Sequence, residues 1–130
     1  MNTRQRIMVV DRDRDSHQLL NNTLEMEGFD TIVVTDSDTT LELLDKVEPD
    51  LVILDSADGE ESDFRELRRI RRNSDVPVII LTPSYKPEEL QKAFSLGADD
   101  YVRKPFGTRS LVARVRAKLR RSRVGMPLFK

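Results

Sequence analysis

The chain has 130 residues, a formal net charge of −1 and 38% hydrophobic content, which suits one domain with a single shared core and is too little for two. It contains no cysteine and one histidine, which excludes disulfides, iron–sulfur clusters, thiolate zinc sites and histidine clusters and leaves any metal to oxygen ligands. No run approaches the roughly 18 apolar residues of a membrane span, and the basic Met1 to Arg6 start lacks the apolar stretch of a signal peptide, so a soluble, cytoplasmic protein with no membrane partner is expected.

In chain order, the first strand-like run is Ile7-Met8-Val9-Val10, and it hands over to Asp11. A helical pattern follows on Leu19, Leu20 and Leu24, stopped by Gly28 at a position where a left-handed C-cap favours glycine. Leu41, Leu44 and Val47 line a second helix, closed by Glu48-Pro49 because the residue before proline avoids helical geometry. The run Leu51-Val52-Ile53-Leu54 then leads to Asp55, and Phe64, Leu67 and Ile70 mark a third helix whose charged stretch from Glu66 to Arg72 reads as a solvated face. Val78-Ile79-Ile80-Leu81 ends at Thr82; Ala93, Phe94 and Leu96 mark a fourth helix stopped by Gly97; Tyr101-Val102 precedes Lys104 closely; and Leu111, Val112, Val115 and Leu119 line a fifth helix.

Such alternation predicts five βα units, hence a parallel sheet covered on both faces, and right-handed crossovers divide the helices between those faces. Residues 1–122 are expected to form the domain, with 123–130, containing Gly125 and Pro127, a tail or linker. Charge is lopsided: residues 101–130 carry 10 basic side chains and no acidic one. With Tyr101, Phe106 and Phe129 as the only aromatics there, a solvated helix plus linker is the expected reading, and not a direct nucleic-acid surface.

Ligands of open parallel sheets gather outside the carboxyl ends of the strands, so Asp11, Asp55, Thr82 and Lys104 can converge. An aspartate after a strand is often only a turn cap; three further polar groups at equivalent ends point instead to chemistry. Lys104 suits charge on a phosphoryl group, Thr82 a hydrogen bond to one of its oxygens, and Asp55 the role of nucleophile. Mg2+ would be the natural metal, since it takes one or two carboxylates plus phosphate and water oxygens. His17, alone on a helix, reads as a surface residue.

On these residues the chain resembles the receiver domain of two-component response regulators. The resemblance runs from Ile7-Met8-Val9-Val10-Asp11 through Asp50-Leu51-Val52-Ile53-Leu54-Asp55 and Val76-Pro77-Val78-Ile79-Ile80-Leu81-Thr82 to Gly97-Ala98-Asp99-Asp100-Tyr101-Val102-Arg103-Lys104-Pro105-Phe106. It implies an α/β, flavodoxin-like (βα)5 doubly wound sheet in order 2-1-3-4-5, an order that general accounts of this fold already illustrate with a receiver protein. It also implies phosphoryl transfer from a histidine kinase onto Asp55, Mg2+ held by Asp11, Asp55 and the carbonyl of Ala57, and a switch pair of Thr82 and Tyr101 that moves inward with the phosphoryl group. Lys104-Pro105 would be a cis peptide. Enzymatic activity would go no further than the domain's own phosphotransfer and autodephosphorylation.

The stretch Leu111-Val112-Ala113-Arg114-Val115-Arg116 with Arg120-Arg121 resembles the branch that carries a winged-helix DNA-binding domain. For that branch the resemblance implies a homodimer through the fourth helix, fifth strand and fifth helix, with ion pairs of Asp100 with Arg114 and Asp99 with Arg121. A third usual pair is missing, because its positions are Leu90 and Ser110. DNA would be reached through an output domain following Lys130, which is expected to be absent from this sequence.

Two positions depart from the family pattern. Arg12 stands where a second acidic residue usually follows the first; one unit-charge interaction at roughly 4 Å and an effective dielectric of 20 is about 4 kcal/mol, so Mg2+ binding is expected to weaken. Asp13 is a substitute ligand, or Arg12 pairs with Asp55 in place of the ion, or it points to water. Pro83 follows the switch threonine and lacks the N–H that would contact the phosphoryl group, a loss on the order of 2 kcal/mol. The segment Ser56-Ala57-Asp58-Gly59 also lacks the usual Pro-Gly turn, and Asp58, Glu60 and Glu61 add acid near the pocket. One alternative is therefore a degenerate receiver that works as a phosphorylation-independent interaction module. Another is a haloacid-dehalogenase-type phosphatase on Asp11-Arg12-Asp13, which lacks a cap domain and has Arg14 where Thr or Val is usual.

Overall fold

The computed structural model describes residues 4–11, 17–56, 61–84 and 86–124, without the side chains at 17, 37, 38, 61, 62 and 121–124. Five strands, β1 (Arg6–Asp11), β2 (Asp30–Val34), β3 (Leu51–Asp55), β4 (Val78–Thr82) and β5 (Asp100–Arg103), alternate with five helices. These are α1 (His17–Met26), α2 (Ser37–Val47), α3 (Glu61–Asn73), α4 (Pro87–Ser95) and α5 (Thr108–Val124). The strands form one parallel sheet in the order β2-β1-β3-β4-β5.

Near-continuous Val, Ile and Leu in β1, β3 and β4 reflect burial on both faces, and alternate residues serve opposite layers. Met8, Val10, Val52, Leu54, Val78 and Ile80 pack with Leu44, Phe64, Leu67, Ile70 and Ala93 from α2, α3 and α4. Ile7, Val9, Leu51, Ile53, Ile79 and Leu81 pack with Leu20, Leu24, Leu111, Val115 and Leu119 from α1 and α5. The helices thus divide between the faces as crossover handedness requires.

Gly28 (φ 95°) and Gly97 (φ 106°) take positive φ after α1 and α4, as their positions foretold. Glu48 closes α2, as its place before Pro49 predicts. It adopts the left-handed conformation (φ 52°, ψ 64°), donating its N–H to the Leu44 carbonyl before Pro49 redirects the chain. The left-handed conformation avoids the helical region that proline disfavours in its predecessor.

Three expectations about helix faces are corrected. Leu19 is 60% exposed and Phe94 45% exposed, because Leu20 and Ala93, one step round each helix, take the core side. Glu66 is not on a solvated face: it lies one helical turn before Ile70, on the same stripe, and is buried. Arg71 is half-buried as well and reaches under the sheet, donating from Nε to the Gly97 carbonyl at 3.0 Å and from Nη1 to those of Val76 and Ser74 at 2.6 and 3.3 Å. Its Nη2 meets Asp99 Oδ2 at 2.8 Å, and the same oxygen accepts the Val78 N–H at 2.8 Å. This one guanidinium ties the end of α3 to the turn that leads into β5.

Candidate functional site

The carboxyl ends of β1, β3 and β4 and the segment after β5 come together at one edge. In the β1–β3 register Asp11 stands opposite Asp55, and both are buried, with 2% and 8% of their surfaces exposed. Two neighbouring buried carboxylates repel unless a cation intervenes. Lys104 provides one: its Nζ lies 2.5 Å from Asp55 Oδ1, within an ion pair whose carboxylate is almost wholly out of solvent. Lys104 is delivered by the β4–β5 ladder, which continues past β5 through its own N–H to the Thr82 carbonyl at 2.8 Å, ahead of a cis Lys104–Pro105 peptide.

Thr82, the last residue of β4, is buried. Its Oγ1 accepts the Ser84 N–H at 3.1 Å. Ser84 also donates from Oγ to Glu89 Oε1 at 2.6 Å, and its carbonyl lies 3.4 Å from the Tyr101 hydroxyl. Tyr101 is buried, and its phenol hydrogen-bonds Thr82. Burial raises the Tyr101 pKa above its ordinary value of 10.0, the Glu89 charge raises it further, and the Thr82 hydrogen bond works the other way. Pro83, between Thr82 and Ser84, has no N–H to offer.

The structure therefore brings Asp11, Asp55, Thr82, Tyr101 and Lys104 together. Arg12, Asp13, Ala57, Asp58 and Glu60 lie outside the described residues. Asp11 and Asp55 are hard oxygen donors of the kind Mg2+ takes, and no third His, Cys, Asp or Glu forms a metal-binding group with them among the described residues. A dication there would lean on two carboxylates plus main-chain and water oxygens.

At the start of β5, Asp100 accepts Arg114 Nη1 of the same chain at 2.8 and 3.0 Å, and Asp99 is held by Arg71. The side chain of Arg121 is outside the described residues. Sequence reasoning missed Ser84, Glu89 and Arg71, and also Ser56, a buried residue after β3 whose N–H donates to the Leu81 carbonyl at 2.7 Å. Only Glu89 carried a signal, as an acid in the first turn of α4, where a helix favours negative charge.

A parallel 2-1-3-4-5 sheet whose carboxyl edge gathers two aspartates, a threonine and a lysine defines the receiver class. Residues 7–116 match the family of response regulator receiver domains, and the chain belongs to it. Over 117 residues it is 44% identical to the transcriptional regulatory protein CpxR of Escherichia coli K12, covering 90% of this chain and 50% of that protein. Over 119 residues it is 42% identical to the DNA-binding response regulator MtrA of Mycolicibacterium smegmatis, covering 92% and 52%. The chain thus spans about half the length of the curated relatives it matches.

Among solved structures, the BeF3-activated N-terminal receiver domain of Klebsiella pneumoniae RstA aligns with a TM-score of 0.82 at 27% identity, covering 89% of this chain and 99% of that one. The signal receiver domain of a Luxo repressor protein from Vibrio parahaemolyticus aligns at 0.84 with 24% identity over 95% of each chain, a likeness of fold alone. Family membership sets the phosphatase alternative aside. No helix among the described residues is long and apolar enough to cross a membrane.

Proposed function

We propose that this domain accepts a phosphoryl group from a histidine kinase on Asp55 and that the change is read at the face formed by α4, β5 and α5 to control transcription. The observation that supports this best is the 2.5 Å contact of Lys104 Nζ with Asp55 Oδ1 at a buried strand end opposite Asp11. In the transfer an Asp55 oxygen forms the new P–O bond, the P–N bond of a phosphohistidine breaks, and the departing imidazole keeps the electron pair and takes up a proton. Lys104 balances the charge gathered on the phosphoryl oxygens, and the Thr82 hydroxyl donates to one of them. Asp11, Asp55 and the Ala57 carbonyl would hold Mg2+, which when bound offsets negative charge on those oxygens.

Incubation with acetyl phosphate and Mg2+, followed by intact-mass measurement, is the test: one phosphoryl group on the wild-type chain and none on Asp55→Asn. An unchanged wild-type mass overturns the reading. The output partner is a second copy of the chain across α4, β5 and α5, where Phe94 is exposed and Arg114 can exchange its own Asp100 for the partner's. DNA contact belongs to an output domain, as the names of the relatives suggest, and the site of action is the cytoplasm.

A second reading, the phosphorylation-independent module, is favoured by one observation: Tyr101 is already buried against Thr82 and Ser84 beside a proline that cannot donate. On that reading Asp55→Asn leaves output in cells at the wild-type level.

A further inference from the structure

Among the described residues between β4 and α4, Ser84 makes three hydrogen bonds, and the Tyr101 phenol adds its own to Thr82 and Glu89. Pro83 removes the first amide donor after Thr82, so the next N–H, that of Ser84, turns back to Thr82 Oγ1 at 3.1 Å. The Ser84 hydroxyl spans the loop to Glu89 Oε1 at 2.6 Å. Such a short bond to a carboxylate is of the charge-assisted kind. Glu89 itself sits in the first turn of α4, where the helix N-terminus favours its negative charge. The Ser84 carbonyl then faces the Tyr101 hydroxyl at 3.4 Å, and the ring is buried in the core layer of α2, α3 and α4.

We infer that Ser84 and Glu89 are positioning residues that hold Tyr101 in its inward seat, so that the α4–β5–α5 face is largely pre-set before a phosphoryl group reaches Asp55. The inference rests on the reading of Thr82 and Tyr101 as the switch pair. It deepens that reading by naming what biases the switch. Thr82 is not disabled by the arrangement, because Oγ1 can keep the Ser84 N–H while its own proton, now shared with the Tyr101 phenol, turns to a phosphoryl oxygen. The phosphoryl group would meet a loop already turned toward it. Glu89 also faces the Tyr101 phenol closely enough for its charge to act on it, as does Asp63 of α3.

The chain has two tyrosines, so uniform 3-fluorotyrosine labelling yields two fluorine signals, and Tyr85→Phe assigns that of Tyr101. A Ser84–Glu89 bond that biases the inward seat about tenfold keeps it about nine-tenths populated, and losing that bond lowers the share to about half. In Ser84→Ala and Glu89→Ala, circular dichroism should report an intact fold while the Tyr101 signal moves toward its solvent-exposed position. Beryllofluoride with Mg2+ should then shift that signal about fivefold further than in wild type. Ser84→Thr, which keeps the hydroxyl, should restore wild-type behaviour. A Tyr101 signal unmoved in both folded variants overturns the inference. If beryllofluoride shifts nothing in any of the proteins, the phosphoacceptor reading fails instead, and the signals of the unliganded variants still decide the role of the Ser84–Glu89 bond.

Discussion

Removing the Arg71 guanidinium tests whether α3 is tied to the sheet edge by this one side chain. In Arg71→Ala, three bonds to main-chain carbonyls at 3.0, 2.6 and 3.3 Å disappear together with the 2.8 Å contact to Asp99. A hydrogen bond contributes roughly 1 kcal/mol net, more when charged, so the two shorter carbonyl bonds account for about 2 kcal/mol. The long bond to Ser74 and the pair with the 40% exposed Asp99 side chain add about 1 kcal/mol between them after allowance for solvent screening. A loss of about 3 kcal/mol is a large share of the 5–15 kcal/mol typical of a domain, and it should lower the urea midpoint by roughly 1–2 M without altering the slope. Arg71→Lys should recover less than half, because an ammonium cannot reproduce the planar fork that reaches Gly97, Val76 and Asp99 at once. Lys46→Ala is the control: it breaks an exposed pair with Glu42 at 3.2 Å, worth a few tenths of a kcal/mol. An Arg71→Ala loss no larger than that control refutes the reasoning.

Gly97→Ala should cost more than Gly28→Ala. Both positions hold positive φ, a penalty of about 1 kcal/mol for alanine, but a Cβ at Gly97 would come within 2.8 Å of Arg71 Nε while one at Gly28 meets nothing within 4 Å; equal losses in denaturant would contradict this. Lys104→Met and Asp55→Asn should be strongly coupled at pH 7, by about 2 kcal/mol in a double-mutant cycle of unfolding, since Asp55 is buried and Lys104 is partly exposed; coupling below about 0.5 kcal/mol would count against a working ion pair. Tyr101 should ionise above pH 10.0 by ultraviolet titration, with burial the main cause and Glu89 the second. Its folded pKa exceeds the unfolded one, so the contribution to stability is fully present below the unfolded value and is lost as pH rises through the folded one. Glu89→Gln should lower that pKa, and an unchanged titration would remove Glu89 from the surroundings of the phenol.

The strands were legible because strands buried on both faces read as unbroken apolar runs, and their polar successors Asp11, Asp55 and Thr82 stand out against them. Helix faces were less so. Leu19 beside Leu20, and Phe94 beside Ala93, offer the core two candidates a hundred degrees apart, and only packing against the sheet selects one. Glu66 shows the reverse: charge suggested solvent, while its spacing from Ile70 already put it on the buried stripe.

What the sequence by itself determined is the alternation of strands and helices, the two glycine stops and the kinds of polar group at the strand ends, all set by local periodicity and backbone preference. Which charge meets which was decided only by tertiary structure. Lys104 finds Asp55 across 49 positions, and Arg71 finds Asp99 across 28. Asp99 and Asp100 are neighbours in sequence, yet one is held from below by α3 and the other by Arg114 of α5. An ion pair is a matter of a few ångströms and a shared solvent exposure, and those distances exist only once the five strands have taken their order.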